Sequence, residues 1–189
     1  MLAIQAFLSA FFSFLIFSAG IHAAPISNVE AGNIPVRSGS AAKVVVPTLA
    51  QMRTKLDVRP NTSLFYSSDL DGKGTCDQAK AWAAKHPGKN YKVLEQLWKD
   101  PNYPHPFEKS DPAIRKEFFD VASKAMAELS EGTVHVVLCP WDGSKTKDWY
   151  KESVWNRMEW PTLQDNKKVK TVIRVNPDND AEVKILGNK

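Results

Sequence analysis

Asp111-Pro-Ala-Ile-Arg-Lys-Glu-Phe-Phe-Asp-Val-Ala-Ser-Lys-Ala-Met-Ala-Glu-Leu129-Ser-Glu-Gly-Thr133-Val-His-Val-Val-Leu138 is the stretch on which the fold turns. Asp111 supplies a side-chain acceptor for a helix N-terminus, and Pro112 fits the first helical position, where no N–H is needed. Ile114, Phe118, Val121, Ala122, Ala125 and Leu129 recur at helical spacing and define one apolar face. Gly132 reads as the residue just past the helix end. Thr133-Leu138 is β-branched and almost wholly apolar, as a strand buried on both faces must be. A long helix leading straight into a buried strand is the repeating unit of an α/β layer.

The same alternation extends in both directions. Upstream, Pro47–Leu56 reads as a short helix and Ser63–Tyr66 as a strand. Thr75 opens a second helix through Trp82 to Lys85, stopped by Pro87-Gly88. Tyr91–Leu94 reads as a short strand, Glu95–Lys99 as a helical turn, and the three prolines between Asp100 and Phe107 as a loop. Downstream, Trp141–Tyr150 reads as a loop and Ser153 to about Gln164 as a helical or turn segment interrupted by Pro161. Val169–Val175 and Ala181–Leu186 are strands joined by the turn Asn176-Pro-Asp-Asn179. The expectation is an α/β fold with a mostly parallel central sheet of about four strands flanked by helices.

Met1–Ala24 has no Asp, Glu, Lys or Arg, and Phe7–Phe17 is an apolar run followed by small residues. This reads as a secretory signal peptide, with the chain secreted and no membrane insertion after its removal. Residues 25–43 are polar and aperiodic and read as a flexible tail, leaving 44–189 as a single domain. The net charge of +4 is mild and the lysines are scattered, which excludes nucleic acid as the expected partner. Cys76 and Cys139, an even pair in an exported chain, read as one disulfide; two cysteines 63 positions apart with four histidines do not suggest a metal site. Asn61-Thr-Ser63 is an N-glycosylation acceptor in a eukaryotic host.

The chain has no dinucleotide fingerprint, P-loop, nucleophile elbow or zincin motif, so its chemistry falls to carboxylates, hydroxyls and aromatics. Glu159 in Trp155-Asn-Arg-Met-Glu-Trp160-Pro and Glu95 in Val93-Leu-Glu-Gln-Leu-Trp98 are each flanked by apolar residues. A carboxylate so placed has a raised pKa or a paired donor; the alternative is a solvated Glu on an amphipathic turn. Phe119, Ser123 and Met126 recur at i, i+4 and i+7 on a stripe beside the main apolar face, where they can line a cleft or widen the core. Arg157 and Arg174 are candidate holders of a diphosphate or surface residues.

Taken in order, these segments resemble the ADP-ribosyl cyclase / NAD glycohydrolase family. The motifs are Leu64-Phe-Tyr-Ser67, Val93-Leu-Glu95, Glu117-Phe-Phe-Asp-Val-Ala-Ser123, Thr133–Leu138, Ser153-Val-Trp-Asn-Arg-Met-Glu159-Trp-Pro-Thr-Leu163 and Val169–Ile173, covering roughly residues 62 to 175. The resemblance implies that Glu159 is the catalytic glutamate and that Glu95 is a second glutamate balancing hydrolysis against cyclisation. It also implies that Tyr66 and Phe119 stand where the family stacks two tryptophans on nicotinamide, and that Ser123 contacts the ribose and phosphate. The implied activity is cleavage of the nicotinamide–ribose bond of NAD to ADP-ribose, with minor cyclisation, NAD being substrate and no cofactor needed. Both tryptophans are replaced here, and the dense disulfide set of many members is missing. The other reading is therefore a non-catalytic secreted effector or binding module on the same scaffold, with a host or target-cell protein as partner. A ribonuclease-like toxin would need His135 or Lys151 near Glu159.

Overall fold

Four strands form one sheet in the order β1-β2-β3-β4: β1 Leu64–Ser67, β2 Gly132–Leu138, β3 Val169–Val175 and β4 Glu182–Gly187. The first three run parallel and β4 returns antiparallel to β3. This is the mixed, mostly parallel sheet expected from the sequence. The computed structural model describes residues 44–67, 75–138 and 152–187, all within one unit, Ala41–Lys189. The signal peptide, the tail, Cys139 and the loop Trp141–Tyr150 lie outside the described residues. Among the described residues no helix is long and apolar enough to cross a membrane.

Five α-helices are described: α1 Leu49–Arg53, α2 Thr75–Ala84, α3 His105–Glu108, α4 Pro112–Leu129 and α5 Trp160–Asp165. The alternation of β2 sorts the core into two layers. Val134, Val136 and Leu138 pack with Phe65, Phe118, Ala122 and Trp155 in a layer that α4 covers. Val137 packs with Leu64, Ala79 and Trp82 in a second layer that α2 covers. Period-two alternation delivers successive side chains to opposite faces, so an unbroken apolar strand needs a helix on each side.

Asp111 caps α4 as read, its Oδ1 accepting from the Ala113 N–H at 2.8 Å. The inward stripe is shifted from the one read in the sequence. Phe118, Ala122, Ala125 and Met126 are buried, whereas Ile114 and Val121 are half-exposed. At the far end, the Asn166 amide donates to the carbonyls of Ala127, Glu128 and Ser130 at 2.9, 3.2 and 2.9 Å. These include helix-end carbonyls that lack partners within the helix, so a residue 36 to 39 positions downstream does the capping.

Gly132 is not the residue following the helix cap. Ser130 is the C-cap, and Gly132 opens β2 with φ of 76°, where the register to β3 shifts. A Cβ at Gly132 would lie 2.2 Å from Asn61 Oδ1, the atom that accepts from the Thr133 N–H at 2.8 Å. Glycine is required by a close approach as well as by φ. Asn61 itself is exposed, as an acceptor for a glycan must be, but Ser63 of the same triplet is buried and accepts from the Ser130 hydroxyl at 2.8 Å.

Three further readings are corrected. Tyr91–Leu94 is not a strand: Lys92 makes one isolated bridge to Ser63, and Leu94–Gln96 forms a 3-10 turn. The proline-rich stretch before Lys109 closes into α3, with Pro106 in its first turn, where a missing N–H costs nothing. Pro161 does not break the last helix. Trp155–Glu159 is a π-helical turn running directly into α5, the Trp160 N–H reaching back to the Trp155 carbonyl. A proline ring crowds the carbonyl four residues earlier, here that of Arg157; the wider turn makes room for it.

Candidate active site

Tyr66 sits near the carboxyl end of β1, where ligands of open α/β sheets usually bind. Beside it, the 3-10 turn presents Glu95, α4 presents Phe119, Ser123 and Met126, and the π turn presents Arg157 and Glu159. These residues line one cavity of about 430 Å³. The five residues to which the resemblance gives catalytic or substrate-binding roles, Glu159, Glu95, Tyr66, Phe119 and Ser123, therefore face a shared space. The helical stripe of Phe119, Ser123 and Met126 does border the cleft, and Met126 serves the core as well.

Glu159 is the most constrained of these groups. It is 6 % exposed, so it is not the solvated Glu of the alternative reading. The Ser123 hydroxyl donates to its carboxylate. Its Oε2 has no hydrogen-bond partner among the described residues. Burial pushes the carboxyl up to about 8, the Ser123 bond opposes this, and the negative charges of Glu95 and Asp120 add to it. The π turn produces this placement. Trp155 and Glu159 both turn inward from it, and Trp155 packs against Phe65 and Trp160 with ring centroids 6.0 and 5.7 Å apart.

Glu95, in contrast, is exposed, and it accepts a short hydrogen bond from the Tyr66 hydroxyl. Burial first, and the Glu95 carboxylate second, raise the Tyr66 phenol, so its proton stays on oxygen. The Cys76 thiol lies against the same hydroxyl and against Lys80, and burial raises it. Cys76 stands unbridged in the structure. The expected bridge to Cys139 has its second member outside the described residues.

Arg157, one of the two candidate diphosphate holders, lines the cavity in a wall whose other members the sequence did not show. Arg157 grips Asp120 with a fork, Nη1 to Oδ2 at 3.0 Å and Nη2 to Oδ1 at 2.8 Å, and Lys116 Nζ adds a contact to Oδ2 at 2.7 Å. Burial alone would raise the Asp120 carboxyl, but the two cations outweigh it and hold it below the usual range. Lys116 and Asp120 are an i, i+4 pair and legible as such; the partner 37 residues away is not.

His135 faces the other layer. Its ring packs on Tyr91 and Trp82, with centroids 4.5 and 5.7 Å away, and burial drives its pKa down to about 4. It does not line the cavity, so it is no base for a ribonuclease-like site there. Lys151 lies outside the described residues. Arg174 is buried, and its Nη2 donates to the Leu138 carbonyl at 3.2 Å; it too is absent from the cavity lining.

Among solved structures, the chain is similar to the Aplysia cyclase complexed with substrate NGD and product cGDPR, with a TM-score of 0.41 and 21 % identity over 62 % of this chain and 49 % of that one. It is similar to an ADP-ribosyl cyclase complexed with N1-cIDPR, with a TM-score of 0.40 and 22 % identity over 62 % of this chain and 49 % of that one. A glutamate-to-alanine mutant of ADP-ribosyl cyclase gives 0.41 and 20 % over the same shares. The chain spans about half the length of these cyclase chains. No protein-family model matches the sequence, and no curated protein matches it.

Proposed function

We propose that this chain is a NAD glycohydrolase in which Glu159 stabilises the ribosyl cation. The observation that carries the reading is the Glu159 carboxyl itself. It is buried, held on one side by Ser123 and unpartnered at Oε2, in a cavity that also presents the rings of Tyr66 and Phe119. A structural glutamate at such depth is expected to carry an ion-pair partner. None is present among the described residues.

The chemistry suits a lone carboxylate. Nicotinamide in NAD is a pyridinium cation. When the bond from ribose C1′ to the ring nitrogen breaks, its electron pair neutralises that nitrogen, so departure needs no general acid. The ribose is left as an oxocarbenium ion, which one nearby anion stabilises and orients through the diol. Water then adds at C1′ and releases one proton, giving ADP-ribose. With a pKa near 8 Glu159 is mostly neutral at pH 7 before substrate binds. A pyridinium bound beside it draws the group toward the carboxylate, so the charge is formed where and when the cation arrives. Tyr66 and Phe119 offer aromatic faces to the ring.

Incubation of the purified protein with NAD, with nicotinamide and ADP-ribose quantified, is the test. Glu159→Gln is expected to lower turnover by about a hundredfold or more. Unchanged turnover removes Glu159 from the mechanism. No nicotinamide release by the wild type favours the non-catalytic module, which draws on the loss of the two stacking tryptophans. The reading includes export through Met1–Ala24, checked by recovering processed protein from the medium.

A further inference from the structure

We infer that Lys116 and Arg157 form an anion subsite for the diphosphate of the substrate, set in place by Asp120 as a positioning residue. The inference rests on the glycohydrolase reading for its substrate but on separate atoms for its argument. Both cations line the same cavity as Glu159. Asp120 is buried and ionised, and it is bonded to both of them. Asp120 neutralises one of the two positive charges and the Glu152 carboxylate also acts on Arg157, so recognition rests on the spare donors of the two cations rather than on net charge.

The donor inventory points the same way. A guanidinium has five N–H groups. Arg157 spends one from each Nη on Asp120, and its Nε donates to the Glu152 carbonyl at 2.9 Å. Two N–H groups remain without a partner among the described residues, one on each terminal nitrogen. Lys116 spends one of its three on Asp120, and its side chain is 62 % exposed. A rigid fork beside a compact ammonium, with spare donors on each, matches the oxygens of a phosphoanhydride. Held by a fork and a third bond, Arg157 loses little further freedom on binding. Positive charge continues beyond it: Arg157 is shared with a neighbouring groove that carries Lys124, Lys167 and Lys168. The arrangement selects a phosphorylated substrate over the bare riboside.

The test measures ADP binding by calorimetry, and kcat and KM for NAD and for nicotinamide riboside, which has the same scissile bond without phosphate. Lys116→Ala changes an exposed side chain. The double variant Asp120→Asn with Arg157→Gln removes both charges of the ion pair together, so that neither is left stranded. Each variant is expected to weaken ADP binding about ten- to a hundredfold, the range for a charged hydrogen bond. KM for NAD should rise by a similar factor, and riboside cleavage should fall by much less than NAD cleavage. ADP binding unchanged in both variants overturns the inference, as does a riboside loss equal to the NAD loss, which marks a purely structural role. A wild type that cleaves neither compound defeats the glycohydrolase reading alone; the ADP measurement then decides the subsite by itself.

Discussion

Replacing Glu159 by Gln should stabilise the fold, and should do so in a pH-dependent way. The carboxyl has an ordinary pKa of 4.5 and is raised to about 8 in the folded chain. A group whose folded pKa is raised favours the native state below 4.5 and costs stability as pH climbs through the window between the two values. A tenfold difference in proton affinity between the folded and unfolded chain is worth about 1.4 kcal/mol. At pH 7 the unfolded chain ionises this group freely while the fold keeps it protonated, a cost of about 3 kcal/mol that levels near 5 kcal/mol above pH 8. Gln fills the same volume, keeps a group that can bond to Ser123 and carries no charge to desolvate. The difference between variant and wild type should therefore be under about 1 kcal/mol at pH 5 and about 3 kcal/mol at pH 7, and flat above pH 8. Urea unfolding at these three pH values reads it directly, with equal slopes expected because the surface exposed is the same. A difference that does not change with pH refutes the reasoning. So does a variant that loses stability relative to wild type as pH rises, since a carboxylate stabilised in the fold by an opposite charge would behave that way.

Two further substitutions probe how the site is held. Gly132→Ala places a Cβ 2.2 Å from Asn61 Oδ1 at a φ of 76°, and should cost about 2–4 kcal/mol, read as a fall in Tm of several degrees. Adding Asn61→Ala should return part of that loss, and strict additivity of the two would show that the close contact contributes nothing. Asn166→Ala removes the amide that serves three carbonyls at the end of α4, for an expected loss of about 1–3 kcal/mol in a urea melt. Asn166→Asp should be worse, because a carboxylate would then face the negative end of the helix; the reverse order would show that the capping bonds do not matter.

The parts of the fold that were legible are those fixed by local patterns. Asp111-Pro112 and the periodicity behind it located α4, and the unbroken apolar run of Thr133–Leu138 located a strand covered on both faces. Val169–Val175 was legible for the same reason. The misreadings came where a residue does two things at once. Gly132 stands two positions beyond the helix cap and looks like its terminator, while its positive φ serves the strand entrance and the approach of Asn61. Pro161 looks like a break, because local rules do not announce a π turn that relieves the proline. Within the site, the carboxylates and aromatics were placed by the order of motifs. Arg157 was already a candidate, but its pairing with Asp120 was invisible because the two meet only through the tertiary fold, and capping of α4 by Asn166 was hidden for the same reason.

The π turn also makes the site sensitive to chain length. Trp155–Glu159 carries a residue more than an α-helical turn would hold. Removing one residue there would let the segment relax to ordinary helix, but each α-helical residue advances by about 100° around the axis. Everything before the deletion would swing relative to α5, and Glu159 and Trp155 could not both still point into the molecule. Many single substitutions on this turn are local events, whereas insertions and deletions rewrite which side chain faces the cavity. Relatives that share the chemistry are therefore expected to vary in residue type along this segment far more freely than in its length.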